Sequence, residues 1–94
     1  MPNPKYVLKV AANVSKKLRS LDPPERHRLT KAILALAKDP YPPGKKWKRL
    51  RAVRDQFVRL RVGSYRVLYE VIGDEVHIFA VVHRRDLEKW LRQR

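Results

Sequence analysis

Between Phe57 and His83 the chain alternates with a period of two, and the alternation is interrupted twice, at Gly63-Ser64 and at Gly73-Asp74. Period two marks β-strands that show different faces to core and solvent. A glycine-led pair between two such runs is a two-residue hairpin turn. Three antiparallel strands follow, and their register can be written down. Val62 faces Tyr65, Leu60 faces Val67 and Val58 faces Tyr69 on one apolar face. On the other face Arg61 meets Arg66, Arg59 meets Leu68 and Phe57 meets Glu70. Across the second hairpin Tyr69 meets Ile78 and Val67 meets Ala80. Glu70 then meets His77, Leu68 meets Phe79 and Arg66 meets Val81. Both hairpins agree on which face is which, and a slip of one residue would turn every side chain over.

The apolar face needs a cover, and the N-terminal half supplies one. Tyr6 to Val10 reads as a short strand. Val14, Leu18 and Leu21 fall on one side of a helix over Asn13 to Leu21. A second helix follows Asp22, with Pro23 at its first position and Glu25 placed to complete a capping box. Leu29, Ala32, Ile33 and Leu36 carry its apolar stripe, and Asp39-Pro40 ends it. Asp39 to Arg49 (DPYPPGKKWKR) reads as a loop, and a short helix over Arg85 to Arg92 closes the chain. The expected fold is α+β: an N-terminal strand and a helix hairpin packed on one face of a small, mostly antiparallel sheet, with a short C-terminal helix. At 94 residues this is a single domain, 1–94.

Charge narrows the function. Twenty-three Lys and Arg against nine Asp and Glu give a formal net charge of +14, which favours a polyanionic partner. The absence of cysteine removes disulfide scaffolds, thiolate zinc sites and thiol nucleophiles. No apolar run is long enough to span a membrane, the N-terminus lacks the apolar run of a signal peptide, and a cytoplasmic location is expected. The sheet face opposite the helices carries Arg59, Arg61, Arg66, Glu70, His77 and His83, with Arg84 just past its end. Guanidinium forks suit phosphate. Glu70 stands alone there, and His77 and His83 are six residues apart at roughly 3.3 Å per residue, too far to share a metal. No cofactor and no metal site is expected. Acid–base chemistry on a phosphodiester is then the open reaction class, and RNA permits it through its own 2′-hydroxyl. Lys45, Lys46, Trp47, Lys48 and Arg49 form a basic, aromatic-bearing loop suited to RNA or a protein partner. Arg85 and Lys89 extend the basic surface.

The segment Arg59-Leu60-Arg61-Val62-Gly63-Ser64-Tyr65-Arg66-Val67-Leu68-Tyr69-Glu70-Val71 resembles the R-I-R-V-G-D-Y-R-V-I-Y-E-I segment of the RelE/ParE toxin superfamily. His83-Arg84-Arg85-Asp86 resembles its later H-R-x-D/E segment. The helix hairpin and the chain length are also similar. RelE-like members are ribosome-dependent mRNA endonucleases held by an antitoxin; ParE-like members poison DNA gyrase. The RelE resemblance implies that Arg59 and Arg61 clamp phosphate, Arg66 stabilises the scissile phosphate, and Arg84 sits where the family places a general acid. Arginine is a poor base because it stays protonated. The family's C-terminal tyrosine should fall near Glu88, where this chain has Leu87-Glu88-Lys89-Trp90. His83 is therefore the expected acid–base group. The implied partners are an acidic RelB-like antitoxin in a hetero-oligomeric complex, the ribosome and mRNA, with no membrane. A ParE-like gyrase inhibitor and a catalytically degenerate toxin are the alternatives.

Overall fold

A computed structural model describes residues 5–44, 46–51 and 56–93, the side chains of Arg51 and Gln56 excepted. Five strands form one sheet: β1 (Val7–Val10), β2 (Trp47–Arg51), β3 (Gln56–Val62), β4 (Tyr65–Ile72) and β5 (Glu75–His83). Their order is β1-β5-β4-β3-β2. β1 runs parallel to β5, and the other neighbours are antiparallel. The helix hairpin α1 (Ala12–Ser20) and α2 (Pro23–Ala35) lies between β1 and β2 in the chain. After β5 come a 3₁₀ turn (Arg84–Asp86) and α3 (Leu87–Arg92). This is the expected α+β architecture.

The expected apolar stripes meet on the helix side. Val14, Leu29, Ile33 and Leu36 are buried against Val58, Leu60, Val62, Val67, Tyr69, Val76 and Ile78. Asp22 does occupy the position before α2, but its side chain makes no capping hydrogen bond. The reason is local. Pro23 and Pro24 fill the first two helical positions and bring no N–H, so the expected capping box has little to cap. The backbone N–H of Arg26 donates to the Asp22 carbonyl at 2.9 Å, the first hydrogen bond of the helix.

Both hairpin turns form where expected. Gly63 and Gly73 each take φ +59°, while no other residue type described has a positive φ. A glycine supplying the one left-handed conformation at the first turn position fits the twist of a tight hairpin.

Two readings of the strands are corrected. The stretch expected as a loop up to Arg49 contains the start of β2, whose Trp47 pairs with Leu60 and Lys48 with Arg59. Trp47 packs on the helix-side core, stands 5.2 Å from the Tyr41 ring and donates Nε1–H to the Pro42 carbonyl at 2.8 Å. Burying the indole with its N–H satisfied holds the strand, and Lys48 and Arg49 beside it suit an exposed sheet edge.

The second correction lies in β5. From the Gly73 turn to Tyr69↔Ile78 the register is the expected one, and there it shifts. Leu68 then pairs with Ala80, Val67 with Val81, Arg66 with Val82 and Tyr65 with His83. Phe79 is the extra residue of a β-bulge, which re-aims the side chains that follow it. The driving force is apolar. Phe79 packs with Phe57, Leu68, Ala80 and Val82 in a second cluster on the far side of the sheet, covered by Leu87, Trp90 and Leu91 of α3. Its ring is edge-on to Phe57 at 5.3 Å and stacked on Trp90 at 5.9 Å.

Candidate functional site, an arginine cluster beside the C-terminal helix

Strand alternation brings four guanidiniums together next to this aromatic patch. Arg59 and Arg61 point to the far side from β3, because Val58, Leu60 and Val62 between them are buried on the helix side. Arg66 on β4 is the direct cross-strand partner of Arg61. Arg84 follows β5, and its N–H donates to the Ser64 carbonyl at 2.8 Å, which ties the 3₁₀ turn to the β3–β4 turn.

Arg66 is the centre of the group. Its Nη1 donates to the carbonyls of Gly63, at 3.1 Å, and Tyr65, at 3.0 Å. Both contacts tether the guanidinium at the turn. Burial, and then the positive charges of Arg59, Arg61 and Arg84, hold its pKa below the usual arginine value. The group stays charged at neutral pH, but it is a cation crowded by cations, and a bound anion relieves that crowding. Arg59 adds a second unmet demand: its Nε is buried without a hydrogen-bond partner among the described residues. A buried donor left so costs roughly 1–3 kcal/mol. The ion pairs among the described residues, Lys9–Glu75 at 4.0 Å and His77–Glu75 at 2.9 Å, lie at the β1 end of the sheet and involve none of the four arginines.

His83 does not join them, contrary to expectation. The bulge pairs it with Tyr65, on the helix side, with the two rings 5.2 Å apart and edge-on. Its Nδ1 accepts the Arg85 backbone N–H at 3.2 Å and so caps the 3₁₀ turn. That bond engages the lone pair that a general base would need and leaves the proton on Nε2. His77 bonds Glu75 rather than its cross-strand neighbour Glu70.

The expected RNA-binding residues separate. Lys48 is exposed and pairs with Arg59, so it extends the arginine face. Lys46 is exposed and its carbonyl accepts the Arg61 N–H at 2.8 Å. Trp47 is corrected to a packing residue, because its indole N–H is already bonded and its ring is partly buried. Arg49 places its guanidinium 5.3 Å from the centre of the Tyr41 ring and away from the arginine cluster. Arg85 and Lys89 are exposed on the 3₁₀ turn and α3, and Lys45 lies outside the described residues. Sequence reasoning missed Arg28. It reaches from α2 to cover Gly63, where an added Cβ would lie 2.8 Å from its Nη1. No period or motif in the chain signals that contact.

Comparison with known proteins places the chain. The family model described as ParE toxin of type II toxin–antitoxin system, parDE, matches residues 7–88. No curated protein matches by sequence. The archaeal RelE–RelB complex of Pyrococcus horikoshii OT3 has a chain with TM-score 0.74 and 28% identity, covering 85% of this chain and 96% of that one. The complex RelBE2 of Mycobacterium tuberculosis gives TM-score 0.71 at 24% identity, covering 85% and 99%, a likeness of fold. A free Escherichia coli RelE carrying two arginine-to-alanine changes gives TM-score 0.64 and 26% identity, covering 92% and 90%.

Proposed function

The chain belongs to the family of ParE toxins of type II toxin–antitoxin systems, within the RelE/ParE superfamily, and from that premise we propose that it cleaves mRNA on the ribosome. The observation that carries this reading is the crowding of Arg66 by Arg59, Arg61 and Arg84 with no carboxylate paired to any of them among the described residues. Such a site is built for a phosphate. The similarity to RelE chains supports an RNA target, and the RelE–RelB complexes support an antitoxin partner. Hetero-oligomeric assembly with that antitoxin, and a cytoplasmic location, belong to the same reading. No helix among the described residues is long and apolar enough to cross a membrane.

In the proposed reaction the ribose 2′-oxygen attacks the adjacent phosphorus and the bond to the 5′-oxygen breaks. The products are a 2′,3′-cyclic phosphate and a 5′-hydroxyl. Arg66 and Arg61 neutralise charge on the non-bridging oxygens, and Arg84 faces the leaving oxygen. One well-placed donor of this kind contributes roughly 10²–10³-fold in rate. One proton must leave the 2′-hydroxyl and one must reach the 5′-oxygen. With His83 on the other face, the described residues offer no base beside Arg66. Water or a ribosomal group carries the proton, and the ribosome aligns the 2′-hydroxyl, which is worth several kcal/mol by itself.

The missing base also favours a second reading, a ParE-like inhibitor of DNA gyrase that binds without chemistry, in keeping with the family matched. Expression in cells followed by primer extension on mRNA separates the two. Codon-phased cuts support the nuclease. Altered supercoiling and DNA damage on intact mRNA support the inhibitor.

A further inference from the structure

Arg28 is exposed on α2, and among the described residues no carboxylate pairs with it, Glu25 one turn earlier included. Its side chain nevertheless has a fixed place. It lies over Gly63 at the β3–β4 turn, where an added Cβ would stand 2.8 Å from its Nη1 and 3.7 Å from its Cδ. The carbonyl of the same glycine accepts Nη1 of Arg66 at 3.1 Å. Arg28 comes to this residue from the helix side and Arg66 from the far side. Bond lengths across Gly63 limit the two Nη1 atoms to a separation of about 10 Å. Gly63 is itself exposed, and a turn is the end of a sheet, so a ligand chain can pass round it from one face to the other.

We propose that Arg28 is a second phosphate site: single-stranded RNA held at Arg66 crosses the Gly63-Ser64 turn and presents a neighbouring phosphate to Arg28. This rests on the reading of the arginine cluster as a phosphate site, and it does not depend on cleavage. Three features select the ligand. A guanidinium with no carboxylate to occupy it presents its fork to a phosphate. The separation from Arg66 is one that a strand covers in one or two nucleotide steps, and a cationic track of this kind follows the backbone without reading the bases. The bare Cα of Gly63 leaves the space above the turn to the Arg28 side chain, which is thereby ordered before any ligand arrives, and that lowers the entropic cost of binding. A ligand with one phosphate engages Arg66 alone. Arg28 contributes only where a second phosphate follows.

The test uses the whole chain and two ligands, uridine 3′-monophosphate with its single phosphate and a labelled oligouridine. Arg28→Gln keeps the stem over Gly63 as far as Cδ and removes the charge. It should weaken oligouridine several-fold and lower the slope of log affinity against log salt by about 0.7, the value of one lost single-strand phosphate contact. Mononucleotide binding and the unfolding midpoint should change little. Arg28→Lys, which retains the charge, should restore the slope. Arg66→Ala should weaken both ligands. Unchanged oligouridine binding in Arg28→Gln, with Arg66→Ala still weakening both ligands, would overturn the second site and leave the phosphate reading standing. Equal loss of mononucleotide and oligouridine in Arg28→Gln would show that Arg28 acts through Arg66, and would overturn the second site as well. If Arg66→Ala weakens neither ligand, or the wild type binds neither at low salt, the phosphate reading falls and the second site falls with it.

Discussion

The two faces of the sheet solve different problems. The helix side is a continuous apolar core in which Val14, Leu29, Val67, Tyr69 and Val76 reach zero exposure. The far side is divided. One part is an aromatic patch under α3, and the other is a cluster of arginines with little to neutralise it. The same three strands build both, so the contrast comes from alternation alone: Val58, Leu60 and Val62 against Arg59 and Arg61. Stability is concentrated on one face, and the proposed phosphate site lies on the other. Changes to each should therefore read out in different assays.

The largest loss of stability should come from the helix side. Leu29→Ala leaves a cavity between α2 and the sheet and should cost ~2–5 kcal/mol in denaturant unfolding. Trp90→Ala, on the half-buried cover of the far side, should cost clearly less, because its site can collapse and refill with water. Equal losses would mean that α3 is as much a part of the core as α2.

Tyr69→Phe is the next test. The phenol is buried and donates to the Pro40 carbonyl at 2.5 Å, which anchors the loop leading to β2. Losing that bond should cost ~1–2 kcal/mol. Burial first, then the neighbouring Tyr41 and Asp39, push the Tyr69 pKa up. The unfolded chain therefore loses the tyrosine proton at a lower pH than the native one. Stability falls as pH rises above the ordinary tyrosine value of ~10. Tyr69→Phe should remove that alkaline component from a pH series of unfolding midpoints.

His83→Gln should do least. Losing the cap on the 3₁₀ turn should cost on the order of 1 kcal/mol, and the cleavage rate should hold within a few-fold of wild type. A drop of ~10²-fold, the scale of a lost general base, would show that the histidine reaches the arginine face after all.

Much of this was legible in the sequence. The first hairpin and the turn half of the second follow from alternation and two glycines, and so does the convergence of Arg59, Arg61 and Arg66. The bulge was not legible, because Ile78 to Val82 is apolar at every position and carries no mark of which residue is extra. His83 was misplaced for that reason alone. β2 was hidden by the prolines before it and by its own Lys and Arg residues, which as an edge strand it can carry. The cover of Arg28 over Gly63 depends on how α2 lies across the strands, and helical periodicity does not encode that.

Single-turnover cleavage of mRNA on purified ribosomes, comparing wild type with Arg66→Ala, tests the central claim most directly. The claim is that the crowded guanidinium at Arg66 exists to meet a phosphate in the reaction. The account predicts a fall of roughly 10²–10³-fold in rate, with ribosome binding and the unfolding midpoint little changed because the side chain is not part of either core. An Arg66→Ala protein that folds normally and cuts at the wild-type rate would contradict it.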